Sequence, residues 1–166
     1  MRRIIAFFIA VLFFSSCLFS CAKDAMTSSE VLERILGNEK KLPDGQLYLK
    51  GAEAGECEYF SEEMMSSMYG SKANDEFFSL VEDFALYISS FANGFEVAVF
   101  KCYSNSDVDS ICETFFWRSD IIKSVIGHQK GFENICVKVF FHGRYVCMYV
   151  GEYPDEAEKE FLGAVR

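Results

Sequence analysis

The sequence lacks the short motifs that mark several common enzyme classes. None of GxGxxG, GxxxxGK[ST], HExxH or GxSxG occurs in its 166 residues. These patterns build dinucleotide sites, phosphate-binding loops, zinc proteases and serine hydrolases. Their absence excludes the usual forms of those four activities.

Histidine is scarce, with two residues in the whole chain. His142 falls at the tip of an expected hairpin and His128 lies in a polar link, and both positions are typical of solvated surface residues. A cysteine–histidine pair also needs a third group that orients the base. The sequence offers none, so we expect no catalytic residue and a protein that is not an enzyme.

The sequence also lacks a complete metal site. Asn105, Asp107 and Asp109 have the spacing of a calcium loop, but Ser110 replaces the required glycine and Phe116 the required glutamate. Capping of the following helix explains the three polar residues better. We expect a solvated loop and helix start, rather than a cation site, at the acidic cluster of Glu53, Glu56, Glu58, Glu62 and Glu63. No metal and no cofactor are therefore expected.

Positive charge is in short supply. Lysine and arginine number 16 against 25 acids, a net charge of −9, and cleavage after residue 20 would remove two arginines and lower it to about −11. Such a domain gains no counterion release on nucleic acid and is repelled by anionic headgroups. Nucleic-acid partners and electrostatic membrane binding are therefore disfavoured.

The first 21 residues have the organisation of an export signal. Arg2 and Arg3 precede eleven apolar residues, 4–14, and a stretch rich in small residues follows. Eleven residues form a helix of about 16 Å, which is short of a hydrocarbon core of about 30 Å. Residues 1–20 are therefore predicted to be a cleaved signal peptide, with an uncleaved signal anchor as the alternative.

The leader ends in a sequence similar to the bacterial lipobox, Leu18-Phe19-Ser20-Cys21. Phe19 departs from that pattern, which leaves Cys17 as a second candidate for lipidation. A diacylglyceryl group on Cys21 would hold the protein stably at the outer face of the cell membrane. Cleavage without lipid attachment is the other alternative.

Five cysteines lie outside the leader, an odd number with no CxxC pair. They are Cys57, Cys102, Cys112, Cys136 and Cys147. Disulfides are the usual expectation in an exported protein, yet an odd count in a chain with 51% apolar residues favours mostly free thiols that pack as small apolar groups.

Capping patterns predict two short helices at the start of the domain. Thr27 and Glu30 have capping-box spacing ahead of a helix that ends at Gly37. Ser61 is expected to cap the second helix. Residues 46–49 between them form a candidate short strand.

The second half of the chain is more regular. Alternating polar and apolar residues predict a strand over 82–89. An apolar run predicts a second strand over 96–103, which is apolar on both faces except for Lys101 and pairs with the first. A helix is expected over 106–127, and a last helix begins at Pro154.

A hairpin is predicted over residues 135–150, with its turn at His142 and Gly143. In that register, Cys136 lies opposite Tyr149 and Cys147 opposite Lys138.

These elements predict one α+β domain over residues 27–166, joined to the membrane by a lipidated tether, 21–26. Two short helices precede a ββαββα order. We expect two layers, with an antiparallel sheet of about four strands and the two later helices packed on one face.

Four short stretches carry a resemblance to a known family: Glu96-Val97-Ala98-Val99-Phe100-Lys101, Met68-Tyr69-Gly70, Glu133-Asn134 and Gly143-Arg144-Tyr145-Val146. Together they resemble the domain-of-unknown-function 4358 family of small Gram-positive bacterial lipoproteins, over roughly residues 31–162. The resemblance implies an exported, lipid-anchored domain and supplies no catalytic residue. The higher cysteine content departs from the family.

We therefore expect a non-enzymatic binding or assembly module, with an unknown protein partner at the cell surface. The partner surface would be an open sheet edge or an aromatic face with Phe140, Tyr145 and Tyr149, with cover of those aromatic residues by the helices as the more usual alternative. One alternative is a thiol-dependent enzyme or redox protein that uses Cys102, Cys136 or Cys147. Another is a substrate-binding lipoprotein of a transporter, which would require a cavity of several hundred cubic ångströms with convergent polar groups.

Overall fold

The structure, a computed structural model, describes residues 25–70, 75–89 and 94–166. The leader, with Cys17 and Cys21, lies outside the described residues. The α+β class is confirmed. The helices are α1 (Ser28–Leu36), α2 (Glu62–Tyr69), α3 (Asp75–Leu80), α4 (Val108–Ile126) and α5 (Pro154–Val165), and the strands are β1 (Gly45–Leu49), β2 (Val81–Ser89), β3 (Glu96–Cys102), β4 (Cys136–His142) and β5 (Tyr145–Gly151).

The sheet has five antiparallel strands in the order β1-β2-β3-β5-β4. The fifth strand is β1, the candidate strand of the first half, which pairs Leu47 with Tyr87 of β2. The prediction of about four strands was therefore one strand short. The short helix α3, which runs directly into β2, was not predicted either.

Helices cover both faces of the sheet, so the expectation of helices on one face was wrong. Helices α2, α3 and α4 pack on one face, and α1 and α5 pack on the other. The physical reason is that β3 and β5 bury all seven of their residues. Since successive side chains in a strand point to opposite faces, each of the two strands needs cover on both sides.

The two faces carry separate aromatic cores. Under α4, the ring of Phe100 lies 4.9 Å from that of Phe115 and 5.4 Å from that of Phe84, measured between centroids. On the opposite face, Phe140 of β4 meets Phe161 of α5 at 5.0 Å. The fold therefore depends on two cores that share one sheet.

The predicted start of α1 is observed. At α1, the backbone N–H of Glu30 donates to Thr27 Oγ1 at 3.2 Å, and that of Thr27 donates to Glu30 Oε2 at 2.7 Å, which completes the capping box. Before α4, Asp107 Oδ2 accepts the N–H of Ser104 at 3.1 Å. This bond caps the short 3₁₀ helix Asn105–Asp107, whereas the Asp107 side chain makes no capping hydrogen bond to α4 itself, so the expected capping of the long helix is not observed.

The turn of the β4–β5 hairpin lies one residue later than predicted. His142 pairs with Tyr145, so the two turn residues are Gly143 and Arg144. Gly143 has a φ of 55°, and a two-residue turn with glycine in its first central position readily adopts that conformation. The cysteines accordingly lie opposite other partners than expected, Cys136 opposite Gly151 and Cys147 opposite Phe140.

The two edges of the sheet differ. Beyond β1, the N–H of Leu49 donates to the carbonyl oxygen of Glu58 at 3.0 Å, so the following segment covers that edge. Among the described residues, no strand pairs with the outer side of β4. The edge strand β4 carries Lys138, whose ammonium group lies 3.0 Å from Asp155 and 2.6 Å from Glu158.

Candidate functional site

A cavity of about 400 Å³ lies between the sheet and the second half of α4. Its floor comes from the same end of three adjacent strands, where Ile88, Glu96 and Val150 pair across β2, β3 and β5. Helix α2 closes one side, and the segment after α4 closes the end. The cavity therefore forms where the sheet, α2 and α4 diverge.

Most of the lining is apolar. The C-terminal half of helix α4 contributes four half-buried aliphatic residues: Ile121, Ile122, Val125 and Ile126. Phe132 packs against the backbone at Gly94, where a Cβ atom would come within 2.2 Å of its ring. The glycine thus permits the close approach that forms the end wall.

One ion pair is built into this apolar lining. Glu96, the first residue of β3, is 4% exposed, and its carboxylate accepts hydrogen bonds from Arg118 Nη2 at 2.7 Å and Nε at 3.4 Å. The hydroxyl of Tyr69 donates to the same carboxylate at 3.1 Å. Elements α2, β3 and α4 therefore meet at one carboxylate.

The protonation of this group of residues follows from its surroundings. Burial, together with the charge of Glu96, raises the pKa of Tyr69 well above its usual value, so the phenol stays a hydrogen-bond donor. Glu96 and Arg118 compensate each other's charge. Among the described residues, Arg118 Nη1 has no hydrogen-bond partner, and Arg118 is one of the residues that line the cavity.

The structure does not bring the predicted reactive cysteines together. Cys102 lies in the core under α4 and Cys147 in the core under α1 and α5, while Cys136 is exposed at the start of the edge strand. All five described cysteines are free thiols, with Cys57 and Cys136 exposed and the others buried. Burial raises the pKa of Cys102 to about 12, with a contribution from Asp107, and burial raises the pKa of Cys147 well above its usual value.

The histidines and acids lie at the surface. His128 and His142 are exposed, and so are Glu53, Glu56, Glu62 and Glu63, with Glu58 half-buried. Over residues 25–70, 75–89 and 94–166, no three His, Cys, Asp or Glu side chains are grouped so that they could hold a metal ion.

The aromatic face proposed as a partner surface is covered. Phe140, Tyr145 and Tyr149 are at most 6% exposed and pack beneath α1 and α5. The hydroxyl of Tyr149 donates to Glu39 at 2.7 Å, and the hydroxyl of Tyr145 donates to the carbonyl oxygen of Met26. These three residues are therefore core residues, and that part of the partner hypothesis was wrong.

Comparison with known proteins adds no relative. No protein-family model matches the chain, and no match was found among curated proteins or solved structures. The resemblance to the domain-of-unknown-function 4358 family stays a prediction. No helix in the described part of the chain is long and apolar enough to cross a membrane.

Substitution of Arg118 by methionine should destabilise the fold by about 3 kcal/mol, because it leaves the Glu96 carboxylate buried without its counter-charge. E96Q/R118M should recover much of that loss. Lys123 on the same helix is exposed, 4.0 Å from Asp120, and K123M should change stability by less than about 0.5 kcal/mol. Urea unfolding measures all three variants, and equal effects of R118M and K123M would contradict the role of the pair.

Among the five cysteines of the described residues, alkylation of the folded protein should reach only the two exposed thiols. Iodoacetamide at neutral pH should modify Cys57 and Cys136, while Cys102, Cys112 and Cys147 should react only after unfolding, since attack requires an accessible thiolate. Peptide mass mapping before and after addition of urea measures this. Rapid labelling of Cys102 or Cys147 in the folded state would favour the thiol-enzyme alternative.

Proposed function

We propose that this protein is a non-enzymatic binding module, anchored by lipid at the outer face of the cell membrane, whose cavity binds a small, uncharged and largely apolar molecule. The observation that carries the proposal is the cavity beside α4, lined by aliphatic residues around one neutral ion pair. Ligand sites are typically concave and apolar, with a few polar groups that fix orientation. At about 400 Å³, the cavity has the size of such a site.

The charged groups in the cavity wall determine which ligand charge the cavity can accommodate. Glu96 and Arg118 neutralise each other at 2.7 Å, so the site holds no surplus charge to compensate an ionised ligand. Burial of an uncompensated charge is costly. The free Nη1 of Arg118 can still donate a hydrogen bond, so a hydroxyl or carbonyl oxygen would suit the polar end of the ligand.

A binding role agrees better with this site than catalysis does. The described lining contains neither cysteine nor histidine, and Glu96 is already engaged by Arg118 and Tyr69. The thiol-enzyme alternative needs a thiolate, whereas burial keeps Cys102 and Cys147 protonated. The third candidate, Cys136, is exposed and does not line the cavity. A substrate-binding lipoprotein would need a cavity of several hundred cubic ångströms with convergent polar groups. The volume of this cavity and the side chains of Glu96 and Arg118 are compatible with that alternative as well.

Assembly with a protein through the β4 edge is the second candidate. The observation in its favour is that, among the described residues, no strand pairs with the outer side of β4. A lysine on an edge strand, however, is a common feature that discourages further strand pairing, and Lys138 has that position. The cavity is therefore the better-supported site.

The uncharged dye N-phenyl-1-naphthylamine should bind the folded protein, and V125W should weaken that binding at least about tenfold, a loss of about 1.4 kcal/mol. Val125 lines the cavity, so the larger side chain occupies ligand space. Fluorescence titration gives the dissociation constants.

S124W is the matched control, because Ser124 is the exposed neighbour of Val125 on α4 and does not line the cavity. Circular dichroism establishes that both variants fold. Equal affinity of V125W and S124W would exclude the cavity as the site. Equally tight binding of the anionic dye 8-anilino-1-naphthalenesulfonate would contradict the preference for uncharged ligands.

C21S should release the protein from the membrane fraction, because the predicted lipid attachment would be lost, and C17S should leave it there. Mass spectrometry of the membrane-bound protein should find lipid-modified Cys21 at the new N-terminus. Release by C17S instead would assign the lipid to Cys17, and an intact Met1 in membranes would favour the uncleaved signal anchor.

A further inference from the structure

The described chain begins at the end of the sheet opposite the cavity. The hydroxyl of Tyr145, the first residue of β5, donates to the carbonyl oxygen of Met26. The N–H of Ser28 donates to Asp83 Oδ2 at 2.7 Å, near the start of β2. These contacts fix the beginning of the domain beside the Gly143 turn, whereas the cavity lies at the Val150 end of β5.

The distance between these two ends follows from the lengths of the elements. Tyr145 and Val150 are five residues apart on β5, about 17 Å at 3.3 Å per residue. Helix α4 runs the same way, from Val108 beside the end of β3 to Ile126 at the cavity, and its 19 residues span about 28 Å. Along the strands, the cavity therefore lies far from the end of the sheet at which the chain enters the domain.

The tether is short compared with the domain. From Cys21 to Met26 the chain advances five residues, which can span at most about 18 Å when fully extended. A lipid on Cys21 consequently holds the Met26 end of the domain close to the bilayer. The tether cannot bring the far end of α4 to the headgroups unless the domain lies on its side.

The surface at the Met26 end suits a membrane interface. Among the described residues, the two most exposed large apolar side chains are Tyr103 and Phe141, each 57% exposed. Tyr103 follows the last residue of β3, and Phe141 lies one residue from the end of β4, so both are at this end of the sheet. Aromatic rings of this kind are favoured at the headgroup level.

One acidic side chain at this end is paired with two cations. Glu82 lies 2.8 Å from the ammonium group of Lys101 and also binds Arg144. The negative charge of Glu82 is therefore compensated, so this carboxylate does not repel headgroups, and the aromatic side chains remain available for the contact.

We propose that the lipid-anchored domain contacts zwitterionic headgroups through the end that carries Tyr103 and Phe141, and presents its cavity away from the bilayer. This inference rests on the proposed lipid anchor at Cys21. The cavity would then take its ligand from the aqueous side. A ligand extracted directly from the membrane would require the opposite orientation.

Quenching of tryptophan by brominated lipid tests the orientation in the full, lipidated protein. The chain has one tryptophan, Trp117, which lies midway along α4 and is 46% exposed. The wild-type protein is therefore the matched control for Y103W/W117F, which places the only indole at the proposed contact. Both proteins are reconstituted into phosphatidylcholine vesicles with bromine on the upper acyl chain.

Fluorescence of Y103W/W117F should fall about twofold in brominated vesicles, because an indole at the headgroup level lies near the upper acyl chain. Fluorescence of wild-type protein should stay nearly unchanged. Circular dichroism and dye binding establish that the double variant is folded.

Equal quenching of the two proteins, or stronger quenching of Trp117, would overturn the proposed orientation. Absence of quenching in Y103W/W117F, with lipid found on Cys21, would also overturn it and would leave the anchor and the cavity unaffected. Absence of lipid on Cys21 would remove the anchor and this inference together. Dye binding reports on the cavity separately in each case.

Discussion

All seven residues of the central strand β3, Glu96–Cys102, are buried. Its side chains pack alternately into two cores on opposite faces of the sheet. Phe100 points into the core under α4, while Val97 and Val99 point into the core under α1 and α5. Neither face can be left to solvent, because each carries a continuous apolar surface that must be removed from water. The three layers follow from this one strand and from its neighbour β5, which is equally buried.

The buried residues of β3 include its one acidic residue, which needs partners from the elements around it. Glu96 at 4% exposure needs a counter-charge and hydrogen-bond donors. Arg118 and Tyr69 supply them from α4 and α2. Both side chains are long and reach this carboxylate across the space between the helices and the sheet. The aliphatic residues of α4 lie beside them and form the rest of the cavity wall. The ion pair that Glu96 requires and the cavity are thus parts of one arrangement.

The sequence predicts the elements better than their arrangement. Thr27 and Glu30 identified a capping box, alternation identified β2, and apolar runs identified β3 and the β4–β5 hairpin, because these signals are local. The strand over 96–103 was correctly described as apolar on both faces, which already implied helices on both sides. The turn at Gly143 and Arg144 could not be chosen from the hairpin pattern, since a turn one residue earlier keeps every side chain on the same face. The cavity was not predicted, because Glu96 and Arg118 are far apart in sequence. The one feature of the sequence that could have indicated it was an arginine on the buried side of α4.

The ion pair is hard to explain by stability alone. A buried ion pair often contributes no more than well-packed apolar residues of similar volume, since desolvation offsets the attraction between the charges. Ile122, Val125 and Val150 surround the pair with apolar surface, so an aliphatic pair in place of Glu96 and Arg118 would continue the lining without that desolvation cost. The pair is neutral overall and leaves one guanidinium nitrogen of Arg118 without a partner. It therefore supplies a hydrogen-bond donor in a fixed position within apolar surroundings. That combination favours recognition of a ligand with one polar atom over a purely structural role.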